Sequence, residues 1–574
     1  MNEETTEKRG EVPLNEMSEK EDEPTFESLL DTLGHFGKHQ RIIFSLLTLS
    51  DILHSMVLMF LIFSTVVPKW RCLEFEGLNV TAISAANEGL NVTGITAVNR
   101  GLNSTVLKVR NATNDTNAEN FEKVCVFNGS KCIRFDFDDG YRGIVVEWDL
   151  VCDRKYIPSL TTSTTMFGLL IGAALAAQTS DLFGRRKVLL VVMSLMLLCQ
   201  TLVVTSVNWQ MFAVLRFFTG VFVAGSLALS FLIPMEFIGP KWRSFSGAFG
   251  VFDLGEATSA LVAYLTQDWR YQALVSGSAP IPLVIAIIIL VPESIRWQIQ
   301  KRRFSEAAVG IKKMSRINRK PVPDLAMMER ISRAQNHQKD KESRYTYIDL
   351  FRTRKLAITT LVVMFGWFSV SIIVYSLITS ISSLSGNLYL NAAYASLPGL
   401  FLGWTVIPMA NWIGRKGALV LYGSIPIVSM FGIVILQATG QIEDRAMAKT
   451  ALAIIGKVGA GEMWTVILII TSEQYPTLMR AIGLGIGNVS ARIAGIIAPQ
   501  IWILCDFVHW TVPFIINGCL AITSVILILV LLPETRGRPM PEEVPPLSCP
   551  CRRQPTQRES NGYREAPSTG ETAC

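Results

Sequence analysis

Twelve apolar stretches, each about 20 residues long, leave this chain few folds to choose from. They begin near Ile42, Ile157, Val188, Met211, Phe245 and Ala273, and after a charged interval near Leu356, Leu388, Ala418, Ala446, Ala481 and His509. In hydrocarbon the backbone has only its own hydrogen bonds to satisfy it, so each stretch predicts a membrane-spanning helix. Composition agrees: 17% of the 574 residues are charged, where a soluble domain carries about a quarter. The expected fold is an all-α membrane protein with twelve transmembrane helices in two six-helix bundles, 42–291 and 356–532. A cytosolic linker with short helices, 292–355, joins them. The acidic tail 1–41 and the tail 533–574 complete the chain, with no cleavable signal peptide expected.

Orientation follows from the short loops. Arg185, Arg186 and Lys187 follow the second span, Lys241 and Arg243 the fourth, Arg415 and Lys416 the eighth, and Arg480 the tenth. All these loops fall on one side, which the positive-inside rule makes cytosolic. Both termini then face the cytosol of a multi-pass protein of the plasma membrane.

The first outward loop, 68–156, is far longer than a helix connection needs. It carries six glycosylation sequons, at Asn79, Asn91, Asn103, Asn111, Asn114 and Asn128, and four cysteines, Cys72, Cys125, Cys132 and Cys152. Two disulfides are expected, with three connectivities open. Part of the loop is a tandem 12-residue repeat starting at Gly77, Gly89 and Gly101, too short and polar to build a core. Its expected role is solvation by added glycans.

Three charged motifs occur twice. Asp181-Leu-Phe-Gly-Arg185-Arg186 answers Asn411-Trp-Ile-Gly-Arg415-Lys416. Glu236, seven residues before Arg243, answers Glu473, seven before Arg480. Pro292-Glu293-Ser answers Pro533-Glu534-Thr. The offsets are 230, 237 and 241 residues, so one half duplicates the other. Carboxylates and guanidinium groups at cytosolic helix ends can build a charge network within each half or between the halves. Made in one conformation and released in another, it would act as a gate. The plainer reading is that the charges fix topology and cap helices.

With these motifs in view, the chain resembles the major facilitator superfamily. Gly34-His-Phe-Gly before the first span, the Cys-rich loop closing on Glu147-Trp-Asp-Leu-Val-Cys152, Asp268-Trp-Arg270, and Glu473-Gln-Tyr-Pro-Thr sharpen the match. Within the superfamily it is similar to the organic cation, anion and carnitine transporters of solute carrier family 22, over about residues 25 to 545. The resemblance implies alternating access to a central cavity between two six-helix bundles. Departures are Ala177 for Gly, Leu182 for Arg and Asn411 for Asp in the gate motifs, and Ile295 for the second Pro of P-E-S-P-R-W. Asn411 implies a hydrogen bond where relatives have an ion pair.

Ionisable groups inside spans face a cavity or a partner. Here they are Asp51 and His54 in the first span, Asp253 and Glu256 in the fifth, Lys457 and Glu462 in the tenth, and Arg492 in the eleventh. The planar fork of Arg492 suits a carboxylate, sulfonate or sulfate. The resemblance points the same way, because cation-transporting relatives place an acid there and anion and carnitine relatives an arginine. The competing reading is an internal ion pair of Arg492 with Glu462 or a fifth-span acid. Trp367, Phe368, Tyr375 and Tyr389 match positions that line the relatives' cavity, and lipid-facing aromatics are the alternative.

The expected function is transport of small organic ions, anions or zwitterions first, cations or carnitine-type substrates as the alternative. A co-transported ion or counter-substrate is an open partner besides the lipid bilayer. The terminal Glu571-Thr-Ala-Cys574 resembles a PDZ-domain ligand. No metal cluster, nucleophile elbow or phosphate loop is present in the sequence, so no enzyme, metal, cofactor or nucleic-acid partner is expected. A non-transporting receptor on the same scaffold is the rival class.

Overall fold

Each apolar run closes into a helix, and polar side chains mark where the runs begin. In the computed structural model, residues 26–75, 78–79, 95–96, 106–107, 125–127, 130–138, 140–239, 242, 251–324, 327–333, 346–439, 446–476, 479–503, 509 and 511–537 are described. The first half holds helices Lys38–Ser64, Ile157–Phe183, Arg185–Leu202, Trp209–Phe237 and Val251–Thr266, then a sixth in two pieces, Trp269–Ser278 and Ile281–Leu290. The second half holds Arg354–Ser380, Leu388–Ile413, Arg415–Ala438, Ala446–Gln474, Arg480–Ile501 and Val512–Leu531. Eleven of these are long and apolar enough to cross a membrane. The fifth is described over 16 residues and carries Asp253 and Glu256. They are called the first to twelfth spans below.

Side-chain caps start several of them. Asn208 accepts from the Met211 amide at 2.8 Å, Asp268 from Arg270 at 2.7 Å, and Asn387 from Tyr389 at 3.0 Å. Each satisfies one of the donors that a helix start leaves open. The second and fourth spans are packed backbone to backbone. A Cβ added at Gly168, Gly172 or Gly220 would overlap the facing main chain, the close approach that small residues permit between membrane helices.

The long loop contributes strands β1 (Trp70–Phe75), β2 (Leu78–Asn79), β3 (Ile95–Thr96), β4 (Val106–Leu107), β5 (Val126–Phe127) and β6 (Ser130–Phe137). β2-β1-β6-β5 form one sheet and β3-β4 a second. The disulfides are Cys72–Cys132 and Cys125–Cys152, which selects one of the three connectivities. The side chains of the six sequon asparagines lie outside the described residues, as do Arg243, Cys505 and the tail ending in Glu571–Cys574.

The loop is tied to the bundle through two sequence motifs. Glu147 accepts from Trp269 Nε1 at 2.7 Å and pairs with Arg270, whose guanidinium also reaches Ser206 O at 2.8 Å. Trp148 and Trp269 meet edge to face at 5.6 Å. The linker helix Phe304–Asn318 packs against the start of the first span, where Asn318 accepts from the His39 amide at 2.9 Å. The helix Phe26–Leu33 shares that core through Leu29, Leu30, Ile311 and Met314.

Candidate functional site: a cavity between the two halves

A cavity of about 1650 Å³ lies between the halves. Its walls come from the first, second, fourth and fifth spans and from the seventh, eighth, tenth and eleventh. The same four positions of each half are used, and the third, sixth, ninth and twelfth spans contribute no wall residue among those described. Toward the long loop the cavity reaches Lys69, Trp70 and Lys155.

The ionisable residues singled out above converge here: Asp253, Glu256, Lys457, Glu462 and Arg492 all line the cavity. Their pairing is not the internal one weighed as the competing reading. Arg492 makes no ion pair with Glu462 or with a fifth-span acid among the described residues. Lys457 takes the acids instead, with Nζ 2.6 Å from Glu256 Oε2 and 3.8 Å from Asp253 Oδ1. Ser396 Oγ of the eighth span donates to the same Glu256 oxygen at 2.9 Å. The pair joins the fifth span to the tenth and so bridges the halves. Helix rotation decides the partners, and spacing along one helix does not reveal how a neighbouring helix is turned.

Arg492 stands apart. Its Nη1 donates to Tyr375 Oη at 3.2 Å, and its buried Nε has no partner among the described residues. Glycines of its own helix bring aromatic rings beside it. A Cβ at Gly495 would lie 3.2 Å from the Tyr375 ring, and one at Gly487 2.7 Å from Trp367 Nε1. Trp464 completes the cluster, edge to face with Trp367 at 5.6 Å and with Tyr375 at 6.2 Å. The sequence reading missed Trp464. The signal was there: Lys457, Gly461, Trp464, Thr465 and Leu468 keep the period of one helical face.

Two expected wall residues lie elsewhere. Trp367, Val374, Tyr375 and Ile378 form the lining stripe of the seventh span. Phe368, one residue round the helix, packs instead beside Ile372 and Ala494. Tyr389 stacks on Phe63 at 6.1 Å and meets Tyr264 at 5.4 Å, closing the halves together at the loop end. Another cross-half contact has Ser163 Oγ donating to Ile496 O at 2.7 Å and accepting from Gln500 Nε2 at 2.9 Å.

The duplicated motifs sit at the opposite end, and their described bonds stay within each half. Arg185 pairs with Asp181 and, at 3.2 Å, with Glu236. Arg415 pairs with Glu473 at 2.8 Å and donates to Asn411 Oδ1 at 3.2 Å. Arg480 opens the eleventh span. Glu293 and Glu534 are helix caps rather than partners of the guanidinium groups. Glu293 accepts from the Arg186 amide at 2.9 Å, and Glu534 from the Arg415 and Lys416 amides at 3.0 and 2.9 Å. Burial pushes the Glu534 carboxyl up, but the amides of Lys416, Arg536, Arg415 and Thr535 outweigh it and hold the group below its ordinary range. The turns they cap pass through Gly184 at φ 113° and Gly414 at φ 86°, where a side chain would be strained. Even the outer contacts repeat: Arg186 reaches Ile288 O at 2.6 Å and Lys416 reaches Leu529 O at 2.7 Å.

Comparison with known proteins agrees with this two-fold architecture. Residues 98–545 match the family described as sugar (and other) transporter. Solute carrier family 22 member 15 of Xenopus tropicalis is 32% identical over 438 residues, 75% of this chain and 79% of that one. The chain belongs to solute carrier family 22. Organic cation/carnitine transporter 2 of Homo sapiens is 28% identical over 530 residues, covering 89% of this chain and 92% of that protein. Among solved structures, a partially occluded inward open conformation of the xylose transporter XylE from E. coli has a TM-score of 0.59 at 16% identity. That likeness covers 87% of this chain and 99% of the other, and it concerns the fold. This family 22 protein is therefore a multi-pass transporter-type protein of the major facilitator fold.

Proposed function

We propose that this family 22 protein carries small zwitterionic organic ions across the plasma membrane by alternating access through the central cavity. One observation carries the reading. Arg492 presents a guanidinium with no acid partner among the described residues, while Asp253, Glu256 and Glu462 line the same cavity, two of them paired with Lys457. Arg492 would take the substrate's carboxylate as a fork. The acid surplus at Asp253 and Glu462, with the rings of Trp367, Tyr375 and Trp464, would take its cationic end through charge and cation–π contacts. The name of the human relative, an organic cation/carnitine transporter, supports this class. A simple organic cation is the second reading, favoured by the gathering of Asp253, Glu256 and Glu462 in one part of the cavity.

Uptake into cells expressing the chain tests it with three tracers: a dicarboxylate, a carnitine-like betaine and a quaternary ammonium without a carboxylate. The betaine should be taken up fastest. Preference for the quaternary ammonium would select the second reading, and no uptake of any tracer would favour the receptor class. We also propose that the long loop faces outward and the termini lie in the cytosol. Glycosidase treatment of the protein from a eukaryotic host should increase gel mobility by several glycans, and unchanged mobility would overturn that orientation.

A further inference from the structure

We propose that Asp51, His54 and Ser226 form a proton-binding relay between the first and fourth spans, coupling a proton to substrate movement. The coupling rests on the zwitterion reading above; the proton site itself does not.

His54 is wholly buried, with Nε2 2.6 Å from Ser226 Oγ of the fourth span and Nδ1 3.4 Å from Asp51 Oδ1 one turn earlier. Asp51 keeps 29% of its side chain exposed. It precedes Leu58, Ile62 and Thr65, all cavity-lining, by 7, 11 and 14 residues, the period of one helical face. Asp51 thus continues the lining stripe of its helix beyond the cavity's own walls, with the imidazole one turn on. A second polar contact, Ser50 Oγ to Ser230 Oγ at 3.1 Å, continues the seam one turn away. A hydroxyl seam alone would hold two helices together. An imidazole in it, backed by a partly exposed carboxylate, adds a group that ordinarily changes charge between about pH 5 and 8.

The other charged groups on elements packed against the first span are engaged elsewhere. On the fourth span, Arg216 donates to Gln200 Oε1 and Val57 O, and Glu236 pairs with Arg185. On the fifth, Asp253 and Glu256 turn to Lys457. On the sixth, Arg270 pairs with Glu147. The linker helix, with Glu306, Lys312, Lys313 and Arg316, meets the start of the span at His39 and Gln40, about four turns from His54.

The proton step balances within the three residues. With neutral imidazole, Nε2–H donates to Ser226 Oγ and the Nδ1 lone pair faces Asp51. A proton that reaches Asp51 passes to Nδ1, which leaves both nitrogens protonated and the Asp51 carboxylate accepting from Nδ1–H. Ser226 Oγ accepts from Nε2–H in both states, with its hydroxyl hydrogen turned to a carbonyl of its own helix, as serine in helices commonly does. The Asp51–His54 pair goes from one negative charge to none. Removing that negative charge from the helix that lines the cavity favours a substrate carboxylate at Arg492, and by linkage the bound carboxylate favours the proton.

The test has a substrate-free arm and a transport arm, both on the full chain. Imidazole nitrogen resonances of the purified, isotope-labelled protein are followed from pH 5 to 8.5, with His54 assigned by its loss in His54→Gln. The His54 signal should titrate inside that window and move on Asp51→Asn. A signal constant from pH 5 to 8.5 overturns the proton site. In the second arm, betaine uptake by wild type should rise at least about fivefold from pH 8 to 6, since one-proton occupancy changes up to tenfold per pH unit. His54→Gln, expressed to the same level, should lose most of that slope while retaining uptake at pH 8. Equal slopes in the two overturn the coupling. No betaine uptake by wild type at any pH defeats the zwitterion reading and leaves the resonance arm to judge the site.

Discussion

Lys457 is the residue whose neighbours say most about how the halves communicate. Its ammonium is buried between Glu256 and Asp253 of the other half. Removing one partner of such a pair leaves the other uncompensated, at about 3–5 kcal/mol. Lys457→Met should therefore lower folded yield or turnover severely, and Lys457→Met with Glu256→Gln should recover part of the loss. A double-mutant cycle on transport and on thermal stability checks this, and strict additivity would mean the two do not interact. The sequence placed Lys457, Glu256 and Glu462 in the membrane interior but could not choose among their pairings. Nothing along one helix reports the rotation of the next. The same blindness put Phe368 in the wall: one residue separates it from Trp367, and 100° of helix turn sends it elsewhere.

At the scale of elements, the duplicated motifs are read correctly as a repeat and only partly as chemistry. Acids and bases at matching offsets suggested a charge network, with a hydrogen bond at Asn411. Glu293 and Glu534 instead cap helix starts at turns that need Gly184 and Gly414, a role that follows from backbone geometry the sequence does not display. Asp181→Ala leaves Arg185 with Glu236 as its one acid partner among the described residues, so turnover should fall several-fold while surface expression changes little. Unchanged uptake kinetics in both Asp181→Ala and Glu473→Ala would leave these charges a topological role. The loop clamp gives a pH prediction. Burial raises the Glu147 carboxyl, but hydrogen bonds from Arg270 and Trp269 and the charges of Arg270 and Arg142 outweigh it, so it lies below its ordinary range. A carboxylate depressed on folding stabilises above its unfolded value and loses that contribution as pH falls through the folded one. Limited proteolysis should release the loop from the bundle only as pH falls below the ordinary carboxylate range, and not at pH 6. Glu147→Gln should already be cleaved faster at pH 6, and equal cleavage in the two proteins would contradict the clamp.

For the whole molecule, the architecture was legible because the bilayer enforces it. A run of 20 apolar residues has one stable form, and a duplicated set of loop charges fixes how two such sets are arranged. The cavity was legible only as a list of costly residues. Its shape, its Trp464 and the separation of Arg492 from Lys457 required the packed halves. That separation underlies the central claim, that one cavity holds an anion-seeking and a cation-seeking end. The measurement that meets it most directly is the uptake ratio of a betaine to a quaternary ammonium of the same size, in wild type and Arg492→Ala at equal surface expression. A lost charge-assisted contact of about 1.5–3 kcal/mol is roughly a tenfold to hundredfold change, so the ratio should drop by at least tenfold while quaternary ammonium uptake holds or rises. A ratio unchanged by Arg492→Ala would contradict the account.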